Sequence, residues 1–299
     1  MYIQGMASQL VERALRHAPH PGSHTTAIAA LQIVRADRPS PRIHSVLRSS
    51  LCYLAQGSKV VTLGTQTYRY GGDRHLFSSI DLPTTGEIVE ASRKRPYLCI
   101  VVEIDPAVVF ELVTAADRTA PRTVRAVRPA LFVAEHDAEL TDAVGRLLAC
   151  LDRPTDARVL GPGVIREITY RLLAGRQGDV VRALGVADSQ TLRIARVVER
   201  LKRDYALPLR TTELARLAGM SVSSLHEHFK KVTTLSPLQY QKQLRLQEAR
   251  RLLLANPAGA ADIGFTVGYE SPSQFSREYA RQFGAPPLAD ARRALAAPR

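Results

Sequence analysis

Two short runs of polar side chains set the chemistry this chain could do. One is Ser223, Ser224, His226, Glu227, Lys230 and Lys231; the other is Ser273, Gln274, Ser276, Arg277 and Arg281. On a helix, each run lies opposite an apolar row: Leu225, Phe229 and Val232 in the first, Phe275, Tyr279 and Phe283 in the second. Residues three and four apart share a helix face, so one side packs inward and the other stays out. Hydroxyl, imidazole, carboxylate and guanidinium groups on such a face can donate to and accept from base edges in a major groove. Taken one residue at a time, the same groups also suit a merely solvated helix face.

The elements that must position these faces are written twice. Ser221 corresponds to Ser271, Leu225 to Phe275, Phe229 to Tyr279 and Pro237 to Pro287, each pair at the same offset. Repetition at a fixed offset marks a duplicated supersecondary unit. In the first copy Leu214, Ala215, Leu217 and Ala218 give a short helix an apolar face. Gly219 sits where the chain must turn, and glycine adopts positive φ at little cost. Ser221 then serves as N-cap of the next helix. In the second copy Ser271 is the cap, and Pro272 takes the first helical position, where a missing N–H is harmless. A long helix from Pro237 to about Leu254, capped by Ser236, joins the copies. At 1.5 Å per residue it spans roughly 26 Å, enough to hold two reading helices about one DNA turn apart, near 34 Å. A helical bundle with no nucleic-acid role is the competing reading.

The stretch from about Val197 to Pro287 resembles the tandem helix-turn-helix domain of AraC/XylS-type transcriptional regulators. The segments LARLAGMS, SPLQYQKQLRLQEARRLLL, VGYES and QFSREYARQFGAPP carry the likeness. The resemblance implies base contacts two, five and six residues after each cap serine. These are Ser223, His226 and Glu227 in the first unit and Ser273, Ser276 and Arg277 in the second. Arg277 suits guanine O6 and N7. Glu227 departs from the basic residue common at its position; it could accept from cytosine N4 or face away. Ser221, Lys230, Lys231, Ser271 and Arg281 are expected at phosphates. Gly264 stands where the family usually has alanine, and a glycine inside a helix costs up to about 1 kcal/mol. The second unit is therefore expected to be the less stable one.

The 299 residues suggest two domains, and 45% hydrophobic residues can fill ordinary cores. Lys and Arg number 41 against 28 Asp and Glu, a net charge of +13 that favours a polyanionic partner or a membrane surface. From Glu199 onward the count is 16 basic to 9 acidic, so the excess is spread over both halves and does not locate a DNA site. Three widely spaced cysteines, Cys52, Cys99 and Cys150, fit a reducing compartment better than a disulfide framework. No run approaches 18 apolar residues and no leader opens the chain, so a soluble cytoplasmic protein without membrane contact is expected.

Towards the N-terminus the periodicity changes. Ala7–His17 reads as a short amphipathic helix, and His20 to His24, around Pro-Gly, as a flexible loop rather than a metal site. Thr26–Ala36 and Ser45–Ala55 read as extended. Lys59–Leu63 and Gln66–Tyr70 form a hairpin around Gly64-Thr65. His75–Ile80, Gly86–Ala91 and Tyr97–Ile104 bring the count to about seven or eight short strands, as in a small barrel or sandwich. Helices are expected at Pro106–Ala116, with Asp105 as cap, and at Glu139–Asp152, Gly163–Ala174, Asp179–Leu184 and Gln190–Tyr205. Thr119–Arg128 reads as a loop or edge strand. Residues from about Thr26 to Val113 are similar to the N-terminal effector domain of an AraC-type subgroup, a cupin-like β-barrel. The segments SLCYLAQGSKVVTLGTQTYRYGGDRHLFSSIDLP and GEIVEASRKRPYLCIVVEIDP carry this likeness. It implies binding of a small effector or dimerisation.

The expected fold is thus α+β: a cupin-like barrel with a helical linker, then an all-α tandem helix-turn-helix domain. The expected divisions are 1–25 (helix and loop), 26–115 (effector domain), 116–188 (helical linker or dimerisation region) and 189–299 (DNA-binding domain). Other chemistry is weakly supported. Catalytic cupins need an H-x-H and a carboxylate, whereas the barrel offers only His44 and His75, so no metal and no cofactor is expected. Cys52 and Cys99 sit in apolar runs; Cys52 is the better candidate for a thiol sensing oxidants or aldehydes. No catalytic triad or phosphate loop is present. Cys52, Tyr53, Gln56, Tyr68, Tyr70, His75, Phe77 and Glu90 could line an effector pocket, although aromatic residues in a barrel more often form core.

These readings converge on a sequence-specific, effector-responsive regulator without enzymatic turnover. Its expected partners are double-stranded DNA, a small molecule and RNA polymerase, and a homodimer is the other expected assembly. The alternatives are a cupin-type enzyme with a DNA-binding tail and a non-specific nucleoid-associated protein.

Overall fold

The computed structural model describes residues 2–116, 128–186, 189–256 and 260–296. The chain divides into two compact units: Met1–Arg193 with Lys231–Thr234, and Ile194–Lys230 with Leu235–Arg299.

In the first unit α1 (Tyr2–His17) precedes nine strands: β1 (Gly22–Thr25), β2 (Leu31–Ala36), β3 (Ile43–Leu47), β4 (Ser50–Gln56), β5 (Ser58–Leu63), β6 (Gln66–Gly71), β7 (Arg74–Ser78), β8 (Leu82–Glu90) and β9 (Tyr97–Glu103). Then come α2 (Pro106–Ala116), β10 (Leu131–Glu135), α3 (Ala138–Cys150), α4 (Pro154–Val159), α5 (Gly161–Ala174) and α6 (Gly178–Gly185). The strands form two antiparallel sheets, one ordered β1-β2-β9-β4-β7-β10 and the other β3-β8-β5-β6. Residues Ser50 to Leu54 of β4 are all buried, so this strand is covered on both faces. On one face Cys52 lies near Lys59 of the other sheet. On the other, the Tyr53 hydroxyl donates to Thr141 Oγ1 of α3 at 3.0 Å. Among the described residues no helix is long and apolar enough to cross a membrane.

The helix at Pro106–Ala116 is as expected, and Asp105 Oδ1 accepts from the Ala107 amide at 2.8 Å. Several details differ. The expected loop around His20–His24 contains β1, whose Gly22–Thr25 pairs with Thr25's partner Gln32 through Arg35 on β2. Pro21-Gly22 starts a strand here because β2 offers a free edge. The strand β10 was not anticipated: five apolar-rich residues carry no periodicity that separates strand from helix, and it forms only because the β7 edge is available. The short α4 and a last helix were also unforeseen. The expected loop or edge strand at Thr119–Arg128 falls, except for Arg128, outside the described residues.

The second unit is all-helical. It holds the C-terminal part of α7 (Gln190–Arg203), then α8 (Thr211–Ala218), α9 (Val222–Thr233) as far as Lys230, α10 (Pro237–Ala255), α11 (Ala260–Thr266), α12 (Pro272–Phe283) and α13 (Pro287–Ala296). Helix α13 starts on Pro287, as α10 starts on Pro237, so the internal repeat extends one helix further than the polar faces suggested.

Candidate nucleic-acid interface

Each polar face stands on a helix whose start and stop are set locally. Helix α8 ends at Gly219, which takes φ 62° and ψ 40°. The Ser221 hydroxyl then accepts from the Ser224 amide at 3.2 Å, starting α9. Ser271 accepts from the Gln274 amide at 3.3 Å with Pro272 behind it, starting α12. Between them Ser236 and Gln239 form a reciprocal capping box at the head of α10, which satisfies two amides that a helix terminus otherwise leaves open.

The inward rows are buried as expected: Leu225, Phe229 and Val232 on α9, and Phe275, Tyr279 and Phe283 on α12. Ser223, His226, Glu227, Lys230 and Lys231 are exposed on α9, as are Ser273, Arg277 and Arg281 on α12; Ser276 and Ser271 are half-buried and Ser221 is exposed. The one carboxylate on α12, Glu278, is engaged on the protein side by Lys242 at 2.7 Å and by the Tyr269 hydroxyl at 2.9 Å. Burial works to raise its carboxyl, but the hydrogen bonds from Lys242, Tyr269 and Gln274 hold it below the ordinary range. Both arginines on α12 therefore present their charge outward beside a carboxylate already neutralised by other partners.

A group that the sequence did not single out fastens the two halves of this unit. Arg245, midway along α10, donates to the carbonyls of Tyr205 (2.7 Å), Leu207 (3.1 Å) and Ala206 (3.3 Å) ahead of α8, and to Gly268 (2.7 Å) in the turn before α12. Gln241, one turn earlier, donates to Tyr205 and Leu207 as well. Gly268 has φ 93°, and a Cβ there would lie 2.1 Å from the Ala206 carbonyl oxygen. A second fastening sits on α13. Asp290, 1% exposed at its side chain, receives Arg250 Nε at 2.8 Å, the Tyr279 hydroxyl at 3.0 Å and Arg293 at 3.2 Å. The only sequence signal for Arg245 and Asp290 was a charged residue at an otherwise inward helical position.

The eight expected effector residues do not share one lining. Cys52 and Tyr70 face the space between the sheets, where both are buried. Tyr53, His75 and Phe77 lie on the opposite, helix-facing side. Gln56 is turned to the Pro96 carbonyl at 2.7 Å, and the half-exposed Tyr68 donates to Gln66 at 2.6 Å. Glu90 is exposed, 3.9 Å from Arg69. A cleft of about 470 Å³ in the first unit includes only His75 of the eight. His44 bonds Thr85 at 2.9 Å, away from His75. Cys52 and Cys99 share a hydrogen bond, which pulls the Cys52 thiol to about 7 while burial opposes it. A sensing thiol also needs access, and both sulfurs are buried.

Two capped, polar-faced helices on a fastened connector define a double helix-turn-helix DNA-binding protein. Residues 27–180, just over half of the chain, match the family described as AraC-type transcriptional regulator N-terminus, and residues 214–293 match a helix-turn-helix domain. The chain belongs to the AraC-type transcriptional regulators. It is similar to the transcriptional activator RhaS of Yersinia pestis bv. Antiqua (strain Angola), with 25% identity over 221 residues, covering 72% of each protein. It is also similar to the regulator GlxA of Rhizobium meliloti (strain 1021), with 34% identity over 91 residues, 30% of this chain and 28% of that one. In fold it is similar to ToxT from Vibrio cholerae, with a TM-score of 0.56 at 10% identity over 87% of this chain and 97% of that one. Unsaturated fatty acid-bound ToxT of strain SCE256 gives 0.55 at 9%, over 87% and 94%. The protein is thus a helix-turn-helix transcriptional regulator with an N-terminal effector domain.

Proposed function

We propose that this regulator reads bases through Ser223, His226 and Glu227 on α9 and through Ser273, Ser276 and Arg277 on α12. Ser221, Lys230, Lys231, Ser271 and Arg281 ground both helices on phosphates. The observation that carries this reading is that Arg277 and His226 are exposed while Phe275, Tyr279, Leu225 and Phe229 on the same helices are buried. In this reading the protein has no catalytic turnover, works in the cytoplasm, contacts RNA polymerase and assembles as a homodimer through the first unit. Effector binding to residues 26–115, with 116–188 as the helical link, changes how residues 189–299 meet DNA.

Gel shifts against the region upstream of its own gene test the DNA part. Selective binding at physiological salt is expected, and Arg277→Ala should weaken it by a factor of about 5–150, matching about 1–3 kcal/mol for a good bidentate contact. Equal affinity for all fragments with a steep salt slope would instead mark a non-specific binder. Sedimentation and metal analysis of the purified protein test the dimer and the absence of a metal-dependent activity.

A further inference from the structure

The cleft in the first unit lies on the helix-covered face of the six-stranded sheet, apart from the space between the sheets. The register shows this. His75 pairs with Tyr53 on β4 and with Ala134 on β10, while Cys52 pairs with Leu76. Directly paired residues share a face, so His75 and Tyr53 look away from Cys52. The lining includes Phe132, Leu140 and Leu172 as apolar walls, with His75, His136, Arg171 and Arg176 among the polar groups.

The polar groups are unusual in what they leave unmet. His75 Nδ1, His136 Nε2 and Arg171 Nε are buried without a hydrogen-bond partner among the described residues, and His75 is only 5% exposed. Buried polar atoms nearly always have partners, and three orphans on one cleft point to a polar guest. The rings are held in place. His136 stacks on Tyr53 at 3.7 Å between centroids, 7° from parallel, and His75 meets Phe132 edge-on at 6.4 Å. A neutral imidazole carries one N–H and one lone pair, so the unpartnered His136 Nε2 can serve as an acceptor. Burial pushes His75 to about 4 and His136 to about 3, so both rings are neutral near pH 7.

The charges are equally selective. Glu135 is engaged by Arg74 at 3.4 Å, and Asp137 caps α3 by accepting from the Leu140 amide at 2.6 Å. Arg171 is paired with Glu139 and Glu167 through its terminal nitrogens. Arg176 is exposed and makes no ion pair with a described residue. The cleft therefore offers one guanidinium without an ion pair to a described residue, one buried N–H donor, one imidazole nitrogen able to accept and apolar walls, in a volume within the usual range for a small-molecule site.

We propose that this cleft binds a small planar carboxylate that also carries a hydroxyl or N–H donor. The carboxylate meets Arg176 and Arg171 Nε–H, the donor meets His136 Nε2, and the ring lies against Phe132, Leu140 and Leu172. This deepens the effector reading and rests on it, naming a place and a chemical class.

The test is calorimetry on the full-length protein with a matched set of probes: 4-hydroxybenzoate, benzoate and phenol. 4-Hydroxybenzoate should bind saturably and at least tenfold more tightly than either probe lacking one group. Arg176→Gln should weaken it about tenfold and leave phenol unchanged. His136→Phe keeps the stack on Tyr53 and should erase the preference for 4-hydroxybenzoate over benzoate. In unmodified protein with ¹⁵N-labelled histidine, the His136 Nε2 resonance should move as 4-hydroxybenzoate saturates. The proposal is overturned if none of the probes binds at millimolar concentration, or if binding is unaltered in both variants and the Nε2 signal stays still. Binding that persists in both variants but weakens in Tyr70→Phe would place the effector between the sheets, keeping the effector reading while discarding the cleft.

Discussion

The two helix-turn-helix units solve one packing problem with different chemistry. Phe229 and Tyr240 of the first correspond, at the same offset, to Tyr279 and Asp290 of the second. In the first, the two rings meet edge-to-face at 5.6 Å. In the second, a phenol donates to a buried carboxylate at 3.0 Å, and Arg250 both pairs with that carboxylate and lies 5.0 Å from the Phe283 ring. The second also carries an aromatic ladder, Tyr269–Phe275–Tyr279–Phe283, with centroid separations of 5.3, 5.6 and 4.4 Å. The same backbone thus tolerates a ring-on-ring lock or an ionic one. The ionic lock gives direction, but it makes its unit depend on every partner being present.

The sharpest way to break this comparison is Asp290→Ala. It leaves Arg250 without its partner in a part-buried site, and removing one member of a buried pair costs about 3–5 kcal/mol. Urea unfolding should show the loss in the second helix-turn-helix copy, α11 to α13, with amides of α8 and α9 holding their protection against hydrogen exchange.

Acid provides a second test with a definite sign. Burial works to raise the Asp290 carboxyl, but hydrogen bonds from Arg250 and Tyr279 bring it below its ordinary value. A carboxyl depressed in the folded state contributes stability that is present above its unfolded value, near 3.9, and is lost as pH falls through the folded one. Amides of α12 and α13 should therefore lose protection as pH falls below about 4 before those of α8 do, and equal loss in both helix-turn-helix copies would remove the contrast.

Recognition should differ too. Glu227→Ala removes a like charge from the DNA face, so its effect should be smaller than that of Arg277→Ala, or should tighten binding. Titrations over 50–200 mM salt would separate the two, since a lost phosphate or base cation lowers the salt slope.

The C-terminal ends of the reading helices sharpen the comparison further. Gly284 closes α12 at φ 78°, whereas the residue after α9 is Thr234 at φ 63°, a β-branched side chain in the left-handed region. Left-handed backbone costs a non-glycine residue about 1–2 kcal/mol. Gly284→Thr should lower the second unit's stability by that amount in thermal unfolding.

The smallest effect is expected at Gly264. Helix propensity alone favours alanine by up to about 1 kcal/mol, and that was the basis for expecting a weaker second unit. The structure adds an opposing contact: a Cβ at 264 would lie 3.0 Å from Phe275 Cδ1, on a ring already packed between Tyr269 and Tyr279. Gly264→Ala should therefore change stability by less than about 1 kcal/mol, and a larger gain would show that Phe275 has room to move.

What was legible in the chain was local. Cap serines, Pro at first helical positions, Gly219 and the inward rows all act within one or two turns, so spacing alone exposes them. The strand hairpin at Gly64-Thr65 was readable for the same reason. What was hidden depends on distant partners. Strand β10 needs the β7 edge, and Asp290 looks like a surface carboxylate until Arg250, forty residues earlier, is folded against it. His136 escaped notice because it follows an unread strand, although a His-Asp pair just ahead of an apolar helix is a signal that could have marked it. The pocket expectation took the neighbours Cys52 and Tyr53 together, and adjacent strand residues point to opposite faces. It therefore mixed both faces of the sheet, with Cys52 on one and, beside Tyr53, His75 on the other.

The Arg245 fastening has a consequence for how such a protein changes its target. Its four acceptors are main-chain oxygens, at Tyr205, Ala206, Leu207 and Gly268. Side chains at the first three of these positions can drift without loosening it; only the fourth is constrained, because no Cβ fits beside Ala206. Operator preference can accordingly be rewritten by exchanging residues on the outer faces of α9 and α12, while the distance between the two reading heads is kept by a clasp indifferent to those exchanges.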